Sequence, residues 1–151
     1  MRKSTSAVLA AAVALASALP AQARNTEHKL SIESGLNFVK TDARTSGQFK
    51  PEIKLYFSGQ ATPKAAETKG TFTSNKKTNF FNKSDEEGCQ WVFASAIIAL
   101  QERAIQEGGN AVVDIHSYYK REEFKSATEY HCVAGAVTGG VALRGTVVKL
   151  K

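Results

Sequence analysis

The stretch GGNAVVDIHSYYK, Gly108 to Lys120, decides how the chain is read. Its first two glycines supply a left-handed stop for a helix arriving from upstream. From Ala111 to Tyr119 the residues alternate as in a strand, with Val113 and Ile115 on one face and Asp114 and His116 on the other. A helix that ends where a half-buried strand begins is the joint of an α+β fold.

Upstream of that joint, Ser84-Asp85-Glu86-Glu87 has the S-x-x-E spacing of a capping box, with carboxylates against the helix N-terminus. Trp91, Ala94, Ile98, Gln101 and Ile105 line one side of the helix. Phe93, Ile97, Leu100 and Ala104 lie beside them, an arc wide enough to cover a sheet. Downstream, Thr128 to Val137 and Val141 to Leu150 read as two further strands, joined by Thr138-Gly139-Gly140. Short connections predict antiparallel neighbours. Glu52 to Phe57 is another strand, entered through Pro51. Leu30 to Arg44 reads as a short strand and a helical turn, or mostly helix. Ala61 to Asn82 is long and polar, with an extra edge strand near Thr71 to Thr78. The expectation is an antiparallel sheet of about four strands with one long helix on one face.

The first residues predict export. Arg2 and Lys3 precede an apolar run, Ala7 to Leu19, that is short for a membrane span. Pro20 and then Ala21-Gln22-Ala23 form a signal-peptidase site. Residues 1–23 are therefore expected to be removed, leaving residues 24–151 as a single domain in the periplasm or secreted, with no membrane anchor. Loss of Arg2 and Lys3 lowers the formal charge from +6 to +4. The lysines are scattered and no arginine-rich or aromatic-basic platform is present, which argues against a nucleic-acid partner. The chain has two cysteines, Cys89 and Cys132, so an oxidising compartment allows one disulfide. Closing that loop is worth about 4 kcal/mol in the chain-entropy model. Two free, buried thiols are the competing state.

The run Gly88-Cys89-Gln90, a helix, then Gly109-Asn110-Ala111-Val112-Val113, then Tyr130-x-Cys132 resembles the periplasmic domain of the Rcs envelope-stress sensor lipoprotein. That domain belongs with small α+β folds that include the YbjQ-like proteins, a family associated with heavy-metal binding. The similarity spans residues 84–151, and it implies an interaction role in the envelope. The sensor family also carries a lipidated cysteine and two disulfides. Here there is no lipid site, and Tyr118 stands where that family has another cysteine. The whole mature chain is also similar to exported bacterial proteins labelled "excinuclease ATPase subunit". A nucleotide-hydrolysing subunit needs G-x-x-x-x-G-K-[ST], and this chain has none.

Three function classes follow. The first is a non-enzymatic binding module for an envelope protein or polymer, with Tyr118, Tyr119 and Phe124 as aromatic anchors. The second is a periplasmic protein binding divalent metal. If the two strands after the helix form a hairpin with His116 opposite His131, then Asp114, His116, Glu129 and His131 share one outer face. Asp114, His116 and His131 would then suit zinc or copper, whereas the ordinary occupant of such a face is solvent. The third is an envelope hydrolase. No G-x-S-x-G elbow and no H-E-x-x-H support it, and no catalytic residue or resident cofactor is singled out.

Overall fold

The computed structural model describes residues 24–151. The predicted signal sequence and cleavage site lie outside those residues. The elements are β1 (Asn25–Ser31), α1 (Ile32–Thr41), β2 (Lys54–Phe57), β3 (Ala65–Asn79), α2 (Asp85–Gln106), β4 (Ala111–Ser117), β5 (Glu129–Gly135) and β6 (Thr138–Leu150). A single 3₁₀ turn, Tyr119–Arg121, follows β4. Among the described residues no helix is long and apolar enough to cross a membrane.

The fold is mixed α+β, but the sheet has six strands rather than four and is not purely antiparallel. The long strand β6 is its spine. β3 pairs along one edge of β6 from Thr138 to Leu150. On the other edge β4 covers the C-terminal half, and β5 meets β6 through Val133↔Gly140 and Ala134↔Gly139. β1 pairs outside β5, and β2 lies parallel to β4. The parallel pair arises because the chain returns from β2 to β4 through β3 and α2, a crossover that restores strand direction.

Two helices pack on the sheet where one was expected. α2 touches β3, β4, β5 and β6, while α1 lies against α2. Leu30 to Arg44 is thus a strand end followed by a true helix. Ser31 caps α1 by accepting from the Ser34 N–H at 3.2 Å. The polar segment before α2 is a strand of 15 residues, longer than Thr71 to Thr78. Lys69, Lys76 and Lys77 stud this outer strand, charge that discourages pairing with a second sheet edge.

α2 follows its local code. The Ser84 hydroxyl accepts from the Glu87 N–H at 3.1 Å. At the other end Gly108 adopts φ +73°, and the Gly109 N–H reaches the Ala104 carbonyl at 2.8 Å. Phe93, Ile97, Leu100 and Ala104 are buried, as are Ala94 and Ile98. Ile105 is an exception to the predicted face, 47% exposed beyond the reach of the sheet. Gln101 is fully buried for a reason the apolar pattern hides. Its amide donates to the carbonyls of Lys50 and Ile53 and accepts from the Lys50 N–H, so it satisfies a buried loop.

The sulfurs of Cys89 and Cys132 are bonded, with Cα atoms 5.9 Å apart and both residues buried. The bond ties the start of α2 to β5.

β4 departs from simple alternation. Val113 pairs with Thr146 and His116 with Arg144, so Asp114 and Ile115 face one partner position, a β-bulge. Asp114 takes φ 50°, a left-handed conformation that aspartate tolerates better than most residues. The bulge changes which side chains point inward. Ile115 is in the core as expected, but its companion is Val112, and Val113 lies outside the core. Ile115→Ala is therefore expected to cost about 2–5 kcal/mol in urea denaturation. Val113→Ala should cost about 1 kcal/mol or less. Equal losses from the two variants would refute the bulged register.

Candidate functional site

The predicted β4–β5 hairpin does not exist. Residues 118–128 make a long excursion, and the two strands meet β6 at different levels instead of pairing. The excursion is anchored at its base. Ser117 and Phe124 exchange backbone hydrogen bonds, Phe124 N–H to Ser117 O at 2.9 Å and Ser117 N–H to Phe124 O at 3.1 Å. The Ser117 hydroxyl also accepts from the His131 N–H at 2.8 Å, which bridges β4 to β5. Inside the loop Lys120 and Arg121 hold φ values of 52° and 67°. Such conformations cost energy for non-glycine residues and persist where surrounding structure enforces them.

The bulge at Asp114 organises one side of this loop. Burial would raise the Asp114 pKa, but hydrogen bonds from Ser58 and Lys125 and the Lys125 charge hold it below its ordinary value. The Ser58 hydroxyl donates to Oδ1, and Lys125 Nζ lies 3.1 Å from Oδ2. His116 follows the bulge and is covered by the excursion, with 4% of its side chain exposed, where a solvent-facing ring was expected. Its Nδ1 lies 2.7 Å from the Asp114 backbone carbonyl, which only accepts, so Nδ1 carries the proton. Nε2 points toward Glu123, 3.4 Å from Oε1. Among the described residues this nitrogen makes no hydrogen bond.

On the other side of the loop a cleft of about 690 Å³ opens over β1 and β5. Tyr119, Phe124 and His131 line it. The His131 ring meets Tyr119 edge-on at 5.8 Å between centroids and Phe124 at 6.4 Å. Glu27 approaches His131 Nε2 at 3.5 Å, and Lys29 Nζ lies 4.7 Å from the centre of the Phe124 ring. Glu123 also borders this cleft, so it separates the buried His116 from the open side.

The expected anchors Tyr119 and Phe124 come together here, and His131 joins them. Tyr118 does not. Its ring packs edge-on to His116 and under the Arg144 guanidinium, 4.6 Å away. Nor do Asp114, His116 and His131 converge as three ligands. Among the described residues no group of three or more histidine, cysteine or acidic side chains is placed to hold a metal ion. The reason is topological: His116 answers to Asp114 and Glu123, whereas His131 answers to Glu27 on β1. Glu129, the fourth residue of the expected patch, starts β5 opposite Ser31. Glu27 and Lys29 went unnoticed in the sequence because only the pairing of β1 with β5 brings them to the cleft. No local pattern marks a partner that distant. Comparison with protein-family models, with curated proteins and with solved structures finds no match to this chain.

Proposed function

We propose that the protein is an exported, non-enzymatic binding module of the bacterial envelope, capturing a protein or polymer through the cleft at Tyr119, Phe124 and His131. The observation that carries this reading is the gathering of three rings around an open cleft on a clamped loop. Aromatic side chains bring large contact area with few rotatable bonds, and they dominate binding energy where water is excluded. The Ser117–Phe124 clamp supports the reading further, because a loop already ordered loses less entropy when a partner arrives. The disulfide accords with an oxidising compartment. Glu27, Glu123 and Lys29 at the margin offer partners for polar groups around an apolar centre.

The test is capture from a cross-linked periplasm, followed by titration of the captured component against purified variants. Tyr119→Ala and Phe124→Ala should each weaken binding by about tenfold or more, the scale of a hot-spot residue. Ile105→Ala, on exposed helix surface away from the cleft, should leave it unchanged. Retention of wild-type affinity by both aromatic variants would reject the cleft as the binding surface. Zinc and copper titrations discriminate the metal-binding class, which requires a one-to-one site erased by His116→Ala and by His131→Ala.

A further inference from the structure

A second groove runs along α1, independent of the aromatic cleft. It consists of two adjoining hollows of about 480 and 440 Å³ that share Leu36 and Lys40. In the second hollow Leu36, Phe49, Ile53 and Leu55 form an apolar floor. Leu36, Phe49 and Leu55 pack on the core yet remain partly exposed. They are the part of the core that the helices and strands leave open on this side.

The charges around that floor are one-sided. Lys40 and Lys54 border the second hollow, and among the described residues no carboxylate lines it. Lys40 Nζ stands 5.6 Å from the centre of the Phe49 ring, and Lys54 Nζ donates to the Pro51 carbonyl at 3.2 Å. Among the described residues neither ammonium forms an ion pair. The first hollow adds Ala127 and the edge of the buried Ile32 to the surface of Leu36, among Ser31, Asn37, Gln60 and Thr128. Glu33 is the groove's one carboxylate among the described residues. A ligand lying in this groove therefore meets cations and an apolar floor at the Lys40–Lys54 end, and a neutral, mixed surface toward Ile32. From Ser31 to Lys40 the helix extends about 14 Å, which matches an elongated chain rather than a compact ring.

We infer that this groove binds a single-chain anionic amphiphile, a fatty acid with its carboxylate between Lys40 and Lys54 and its hydrocarbon chain along Leu36. Burial of the chain against the apolar floor supplies affinity at about 0.8 kcal/mol per buried CH₂. The two lysines set the polarity of the head group, since a carboxylate gains charge-assisted hydrogen bonds there and a cationic head is repelled. The combined volume falls in the range of small-molecule sites.

The experiment titrates residues 24–151 with laurate below its micellar concentration, by calorimetry and by backbone NMR shifts. A twelve-carbon trimethylammonium amphiphile and vesicles of anionic phospholipid serve as comparison ligands. Saturable one-to-one laurate binding is expected, with shifts centred on Leu36, Phe49 and Leu55. The Lys40→Glu, Lys54→Glu double variant should weaken it by about tenfold or more, as should the neutral Lys40→Gln, Lys54→Gln pair. Both lysines are exposed, so thermal unfolding of these variants should match the wild type. If the double Glu variant unfolds early, the double Gln variant supplies the reading. The inference is overturned if laurate does not saturate, if both variants keep wild-type affinity, or if the cationic amphiphile binds equally well. Binding to anionic vesicles without binding to monomeric laurate also overturns it, because the groove would then be a membrane contact.

Discussion

Phe93→Ala is expected to lower the unfolding free energy by about 3–5 kcal/mol, the largest loss from any single truncation in this chain. The ring is fully buried and stacks on Tyr130 with centroids 4.1 Å apart. Phe57 lies on it as well, at 6.3 Å. From the third side α1 presses its backbone close at Gly35. A Cβ added there would stand 2.6 Å from the Phe93 ring. Phe93 thus joins α1, α2, β2 and β5 at one point. Removing it leaves a cavity whose walls belong to four elements, and such walls collapse poorly because each is held by its own hydrogen bonds. Urea denaturation of both proteins measures the loss. A difference under about 1 kcal/mol would mean that the site repacks and that this junction does not hold the core together. Gly35→Ala gives an independent check of the same contact. Alanine is the better helix former, so any destabilisation has to come from crowding against the stacked rings of Phe93 and, at 3.2 Å, Tyr130.

Replacing Cys132 by serine is expected to cost about 2–5 kcal/mol, nearly as much, and for a different reason. The bond closes a stretch of 43 residues of sequence separation that includes α2, β4 and the long excursion. In the unfolded chain that closure removes configurational freedom worth about 4 kcal/mol. The folded state loses something too, since both cysteines are buried and a serine hydroxyl in place of the sulfur needs a partner. Intact mass of the oxidised protein should fall two hydrogens short of the free-thiol value, and no thiol should react with alkylating reagent before reduction. Cys89→Ser should lose stability equally, because either change opens the same loop. If the two variants differed by several kcal/mol, local packing around one sulfur would outweigh the cross-link. If neither differed from wild type, the disulfide would be structurally idle.

The elements that sequence alone determined are those built from neighbours in the chain. The Ser84 cap, the acidic first turn and the Gly108 stop of α2 were legible because helix hydrogen bonds join residues four apart. The Cys89–Cys132 bond was legible because two cysteines permit one pairing. Tyr119 and Phe124 stood out as rings near a strand end, and they lie in the cleft. What only the tertiary structure decided depends on pairing between distant segments. Glu27 sits opposite Val133 and Lys29 opposite His131, so β1 closes one side of the cleft with these two residues. β3 became a full strand because β6 offers it a complete edge, although its own residues are polar. The bulge at Asp114 put Val112 rather than Val113 on the face of Ile115, and the excursion buried His116 against Glu123 and Tyr118, away from His131, which dismantled the expected row of metal ligands. A strand's side chains alternate with period two, so one extra residue reverses the faces on one side of the bulge relative to the other. The physical cause of that extra residue is the left-handed Asp114, held by Ser58 and Lys125, and neither contact is visible until the chain is folded.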